Sequence, residues 1–506
     1  MPFSKGWQRG FRMYADTRPR WPVLMAVCLG LFIVQVDTTA LNLALPRVGR
    51  SLHVGIGALQ WITDLYNLTY ASFLLTGGLL GDRLGRKRVF ASGLALFVVG
   101  STLCAFARSL SVLLAGRLIQ GVGAAFEIPG TLAILAATYV DPAERSRAMG
   151  VWASVSGLAL AFGPSAGGWL VAHAGWPSIF LLNLPTGGAA LLLTIARVEE
   201  TPRATGRRTD LPGQLLAVAL LASLTYALIE SPQGGLAAPL ARASLVVAPV
   251  CLCLFLLREA RAADPMIPLG LFRSATFSGA AAAAATMTFA MYGLLFLLGL
   301  YLESIVGMSS FLAGLAILPS SIAFILTSPV AARLTRRIGP GPLMAGGLLA
   351  IAAGLLLLAG LTVHAEAVRL LVALSLTGFG MGLNTGPAVT VAVSSIEQRQ
   401  AGIASGIINL ARMIGATLGV AVLGAIVADR TSRWAPGGLL AAHGLAAVGP
   451  GQPFRSGYSA AFVAGMRASF DAGAAVALCG AAIAAATLFR LAASRRLPPG
   501  TSGPVR

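Results

Sequence analysis

The chain has 506 residues, of which 56% are hydrophobic and only 11% charged, with mean hydropathy +0.80 and a formal net charge of +19. Soluble domains carry roughly 25% charged residues, so a string of soluble domains is excluded, and five Cys are too few and too scattered for a disulfide scaffold. What remains is an all-α polytopic membrane protein whose Lys and Arg sit in short loops that fix orientation, with no call for a nucleic-acid partner.

A spanning helix needs ~20 apolar residues. In chain order such runs fall at 22–44, 57–80, 89–107, 110–136, 148–172, 178–196, 211–230, 243–257, 275–301, 311–331, 342–361, 368–392, 402–427 and 471–490. With the basic segment 1–21 set inside, Lys and Arg favour the inner loops nearly three to one. That bias predicts fourteen spans with both termini cytoplasmic. The spans group as a six-helix bundle over 22–196, a linker over 197–273 with two extra helices, a second six-helix bundle over 274–490, and a tail over 491–506. Segment 428–470 is expected to be the longest outer loop; its apolar stretch 434–450 is broken by Pro436 and several Gly and reads as a loop or interfacial hairpin. The halves echo one another: Gly81-Asp-Arg-Leu-Gly-Arg-Lys-Arg88 and Arg333-Leu-Thr-Arg-Arg-Ile-Gly339 each follow the second span of a half. Such duplication is typical of transporters with a midplane site between halves.

Four stretches carry a resemblance to a known family. They are Asp37-Thr-Thr-Ala-Leu-Asn-Leu-Ala-Leu-Pro46, the loop Gly78 to Arg88, Gly116-Arg117-Leu-Ile-Gln120-Gly121-Val-Gly123, and Gly163-Pro164-Ser-Ala-Gly167-Gly168. In this order and on these spans they resemble the major facilitator superfamily, and within it the fourteen-span branch of drug:proton antiporters. The resemblance implies a major facilitator fold and export of an antibiotic, drug or other amphipathic molecule across a bacterial cytoplasmic membrane. It also implies exchange for protons, alternating access, and the bilayer, drug and protons as partners of a working monomer. Three departures stand out: Ala159 where the exporter motif has a glycine, Trp176-Pro177-Ser178 in place of Trp-Arg-Trp, and Glu127 at a position often apolar. An importer or facilitator of a metabolite is the alternative on the same fold.

Ionisable side chains at bilayer depth are costly and point to function. Counting 1.5 Å per residue, Asp37, Asp64 and Arg117 reach one layer on three helices of the first half. Asp37 is expected to be the main proton carrier and Arg117 its tuner, with Asp64 second; a fixed Asp37–Arg117 ion pair is the structural alternative. Deprotonated Asp37 is expected to attract a cationic or polar drug. Glu127, ten residues beyond Arg117, reads either as an inner acid that receives substrate or a proton, or as a packing residue. Gln120 joins the binding side chains. The second half has no mid-span acid and offers Met287, Met291, Tyr292 and Asn384 as an apolar wall, with Arg412 as an interhelical strut. Asp82, Arg83, Gly85 and Arg86 read as a gate that makes ion pairs in one conformation. Gly163, Pro164, Gly167 and Gly168, with Gly378/Gly382/Gly386, Gly402/Gly406 and Gly415/Gly419, read as seams where helices slide. Neither lysine, Lys5 or Lys87, stands in a Gly-Lys-[Ser/Thr] phosphate loop. No cofactor is therefore expected, and the proton gradient supplies the energy. His53, His173, His364 and His443 fall in or near outer loops, so neither a metal centre nor a membrane enzyme is expected.

Overall fold

The computed structural model of the chain describes residues 20–201, 210–234, 239–262, 264–394, 401–434 and 455–488. Backbone N–H and C=O groups find no partner in lipid, so apolar runs of this length fold as helices that satisfy themselves internally. Among the described residues there are fourteen, each of 20 to 34 residues. They are α1 (Trp21–Leu52), α2 (Ile56–Leu84), α3 (Arg86–Ala105), α4 (Leu110–Thr138), α5 (Pro142–Ala174), α6 (Pro177–Arg197), α7 (Leu211–Gly234), α8 (Pro239–Arg261), α9 (Ala275–Leu300), α10 (Ser310–Ile338), α11 (Pro340–Ala359), α12 (Ala367–Ser394), α13 (Ala401–Trp434) and α14 (Arg455–Leu488). Twelve of them are long and apolar enough to cross a membrane; α5 joins them when its two arms, bent by 41°, count as one span. Helix α2 falls short of that apolarity, carrying Gln60, Asp64 and Asn67, all buried against other helices.

Helix ends follow local chemistry. Ser109 caps α4 through the Val112 N–H, and Asp141 caps α5 through the N–H groups of Ala143 and Glu144 at 2.9 Å each, with Pro142 at the first position. Single glycines with positive φ join α2 to α3 (Gly85, φ 109°) and α10 to α11 (Gly339, φ 84°), a region that favours glycine. The two turns occupy matching places in the two halves, as the echoed loop motifs predict.

One expectation is corrected. The run at 471–490 belongs to a helix that begins at Arg455, and α13 continues to Trp434, so Asp429, Arg430, Arg433 and Arg467 are helical and not in an outer loop. Charged side chains interrupted the apolar count without interrupting the helix. Arg467 Nε donates to Ala359 O at 3.0 Å and so satisfies a carbonyl at the end of α11. Residues 435–454, with most of the expected hairpin, lie outside the described residues.

The halves repeat one packing scheme. Helix α3 lies along α4 as α11 lies along α12, α1 along α5 as α9 along α13, and α3 against α6 as α11 against α14. The bundles meet where α2 packs on α13, α5 on α10 and α1 on α9. Helix α7 leans on α2 and α13 beside that junction, and α8 packs on α7. Gln214 ties α7 to α2: its Nε2 donates to Ser72 O at 2.7 Å and its Oε1 accepts from Thr76 Oγ1 at 2.5 Å. The cysteines are all free; Cys253 and Cys479 are exposed on helix faces.

Candidate functional site

The bundles part at the end where α2 turns into α3 and close at the other. Between them lies a cavity of about 1520 Å³. Its mouth is edged by Asp82, Arg86, Asp210 and Asp264, and its walls rise along α1, α2, α5, α9, α10, α12 and α13 to Thr38, Tyr66, Tyr292 and Arg412.

The closed end is built from direct contacts between halves. Gln60 Nε2 donates to Val420 O and Ala421 O at 3.1 and 3.0 Å. Arg50 pairs with the buried Glu303 at 3.5 Å. Pro164 has no N–H to offer Leu160 O, four residues earlier, and bends α5 there. Ser321 of the opposite bundle fills the gap, its Oγ donating to Leu160 O at 3.2 Å. A Cβ on Gly168 would stand 2.3 Å from Ser310 O, and one on Gly314 would stand 2.2 Å from Pro164 O, so only glycine allows this approach of α5 to α10.

The other glycine repeats mostly serve a different purpose from the sliding seams expected of them. Gly163 and Gly167 press on Thr39 and Ala40 of α1, Gly378 and Gly382 on α10, Gly415 and Gly419 on α9. All of these contacts lie within one bundle, where close backbone packing fixes helices rather than letting them slide. Gly406 does reach the other bundle, beside Leu75, and Gly386 lines the cavity.

Asp37 and Arg117 meet as expected. Arg117 Nη1 lies 2.6 Å from Asp37 Oδ2, with 1% and 0% of their side chains exposed. Arg117 also donates to Ile62 O (3.0 Å) and Gln120 Oε1 (2.8 Å), and its guanidinium stacks 4.2 Å over the Tyr66 ring. Asp37 Oδ1 accepts from Gln120 Nε2 (3.1 Å) and Asn183 Nδ2 (2.9 Å), and both amides donate to Ser101 Oγ. Five helices thus contribute to one buried network in which both charges are fully hydrogen-bonded. Asn183 and Ser101 are members of this network that sequence reasoning missed; Asn183 is the lone amide in the apolar run of α6.

Several expected wall residues stand elsewhere. Asp37 does not line the cavity: Thr38 and Tyr66 do, and Asp37 points into the bundle behind them. The expectation that its carboxylate attracts a drug directly therefore fails. Gln120 belongs to the Asp37 network. Asp64 shares a height with Arg117 but not a face: Ile62, which Arg117 bonds, lies two residues or ~200° away on a helix of 3.6 residues per turn. Asp64 instead follows Gln60 by one turn, on the stripe facing α13, and both its oxygens are buried without a hydrogen-bond partner. Glu127 is enclosed by α1 and α3, where a Cβ on Gly30 would fall 2.3 Å from its Oε1; both its oxygens also lack a partner, and it is off the cavity wall. Met287 and Asn384 are buried inside the second bundle, Met287 Sδ accepting from Thr385 Oγ1 and Asn384 Nδ2 donating to Gly380 O. Met291 and Tyr292 do line the cavity. So does Arg412, which the sequence suggested was an interhelical strut.

At the mouth, Asp82 Oδ1 accepts from Arg86 Nε and Nη2 at 3.2 and 3.1 Å, and Arg86 Nη1 reaches Ala133 O. Arg83 is exposed beside them. Glu200 packs over Gly85, accepts from Lys87 N and pairs with Arg88. The expected gate ion pair is present here within the first half.

Two bundles of six helices related by an internal repeat, with a cavity between them open at one end, define a multi-span transporter. The chain belongs to the Major Facilitator Superfamily, whose model matches residues 27–420. It is 39% identical over 405 residues to the multidrug resistance protein Stp of Mycobacterium tuberculosis, covering 80% of this chain and 75% of that one. It is 33% identical over 495 residues to the tetracenomycin C resistance and export protein of Streptomyces glaucescens, covering 92% and 91%. Among solved structures it shares its fold with a bacterial homolog of the human lysosomal transporter Spinster in an inward-facing, unoccupied conformation. That match has a TM-score of 0.66 at 17% identity, over 96% of this chain and 100% of the other.

Proposed function

We propose that this chain exports drug-like small molecules across the bacterial cytoplasmic membrane in exchange for protons, by alternating access of fourteen spanning helices with both termini inside. The cavity carries the reading: it is large enough for a drug-sized molecule, open at the end rich in Lys and Arg, and sealed at the other by contacts between pseudo-symmetric halves. The basic end is the cytoplasmic one, so this conformation faces inward and loads cargo. Two similar proteins named for drug resistance, one of them also for export, support the direction of flux.

Coupling in this reading is indirect. Asp37 is held as a carboxylate by Arg117, Gln120 and Asn183. A proton arriving on it removes the charge that Arg117 needs and loosens the pairing of α1 with α4. Helix α1 carries Asp37 on its inner face and Val34, Gln35 and Thr38 on the cavity face, so a shift driven from inside the bundle reshapes the wall that touches cargo. Tyr66, stacked on Arg117 and lining the cavity, is a second link. Asp82 and Arg86 gate the mouth.

The test is accumulation of fluorescein and rhodamine 123 in cells expressing the wild type, Asp37→Asn or Arg117→Ala, with and without a protonophore. Wild-type cells should hold less of at least one probe, and the protonophore or either substitution should erase the difference. Export by Asp37→Asn at the wild-type level would sink proton coupling through this site.

A further inference from the structure

The charges on the cavity wall are unevenly distributed. Among the described residues, five charged side chains line it: Asp82, Arg86, Asp210, Asp264 and Arg412. The first four stand at the mouth, where Asp82 pairs with Arg86, and Asp210 pairs with Arg258 at 3.1 Å. Arg412 alone stands away from the mouth, partway up the wall at the level of Thr288. It is half-buried, its Nε is buried without an acceptor, and among the described residues no carboxylate pairs with it. Its backbone carbonyl accepts from Thr288 Oγ1 at 2.6 Å. Arg117, by contrast, has acceptors for both Nε and Nη1 and an aromatic ring over its face.

Two hydroxyls accompany this cation. Tyr70 of α2 and Tyr292 of α9 line the same cavity from opposite halves, and Tyr292 stands one helical turn beyond Thr288, whose hydroxyl bonds the Arg412 carbonyl. A guanidinium is a planar fork of donors matched to carboxylates and similar oxyanions, and phenol hydroxyls donate to the same groups. Between apolar walls of lower dielectric such a contact is stronger than in bulk water. A cationic drug would meet the opposite: a fixed like charge partway along its path and, among the described residues, no acid on the wall there to offset it.

We infer that the central cavity selects small molecules bearing an ionised acidic group, such as a carboxylate, phenolate or enolate, held by Arg412 with Tyr70 and Tyr292 beside it. The inference rests on the export reading above and names the substrate class of that same cavity. It also assigns the halves different work. The first bundle keeps its buried cation for the proton, and the second presents its own to the cargo from α13. Closure of the mouth would bring the α2 wall, with Tyr70, toward the bound acid.

Binding to the purified full-length protein tests this without knowledge of the natural cargo. Fluorescein and rhodamine 123 share a xanthene ring and differ in charge, and anisotropy reads the binding of each. Fluorescein should bind at least tenfold more tightly than rhodamine 123. Arg412→Gln should weaken fluorescein at least tenfold and leave rhodamine 123 unchanged, while Arg412→Lys should retain part of the preference and thereby exclude a simple folding defect. Equal or tighter binding of rhodamine 123, indifference of fluorescein to Arg412→Gln, or binding of neither probe would each overturn the assignment. The export reading fails separately: a protein that binds fluorescein through Arg412 but moves no probe across vesicle membranes would keep the substrate class and lose the transport function.

Discussion

The two bundles share a scaffold and differ in how each treats its intramembrane cation. Arg117 in the first has a carboxylate, an amide oxygen, a backbone carbonyl and an aromatic face around it. Arg412 in the second faces an open cavity and has no acidic partner among the described residues. A buried charge must be compensated inside the protein, while one on a cavity wall can be compensated by what enters. Duplication therefore fixes where helices lie, and single side chains decide whether an intramembrane cation is answered inside the protein or left facing the cavity.

The largest expected consequence is electrical. If the first half takes one proton inward while the second sends one anion outward, two charges cross per cycle, worth about 4.6 kcal/mol at 100 mV. A monovalent cation exchanged for one proton would move no net charge and feel no potential. Proteoliposomes with valinomycin-set potassium potentials separate the cases. Fluorescein export should steepen with an inside-negative potential, and a flat response would break the proposed division of labour.

Stability should separate the same two residues. Arg117→Ala strands Asp37 as an uncompensated buried carboxylate, and breaking such a pair costs about 3–5 kcal/mol. Arg412→Ala removes a side chain that satisfies nothing in the protein, so its cost should stay within about 0.5 kcal/mol. Thermal unfolding of the purified variants reads both. Equal destabilisation would mean that Arg412 is a structural strut after all, and the comparison would fail.

Height was legible in the sequence and azimuth was not. Apolar runs, glycine turns and the echoed loop motifs are local signals, so the helices and the meeting of Asp37 with Arg117 follow from counting residues along each helix. Which face turns to the cavity depends on neighbouring helices. Asp64 reaches the right height on the wrong side of α2, Glu127 is shielded behind α1 and α3, and Met287 is buried while Met291, one turn on, lines the wall. Asn183 was missed for a related reason. A single amide in an apolar run carries little meaning until packing sets it 2.9 Å from Asp37. Arg412 was visible as a charge, but only the absence of a nearby acid reveals its availability, and that is a fact of three dimensions.

The smallest effect concerns the seal opposite the cavity, and it isolates one hydrogen bond. Pro164 leaves Leu160 O without its helical donor, and Ser321 supplies one from the other bundle at 3.2 Å. Ser321→Ala should therefore cost about 1 kcal/mol, rising toward 3 if the carbonyl is left buried and dry. In a Pro164→Ala background the restored N–H of residue 164 can bond Leu160 O within α5, and the same Ser321→Ala change should then cost nearly nothing. The difference between these two costs is the coupling energy of a proline and a serine in separate halves. Denaturation midpoints of the four proteins measure it. A coupling near zero would mean that Ser321 merely lies near the bend, and that the proline of α5 kinks its helix without helping to fasten the two bundles.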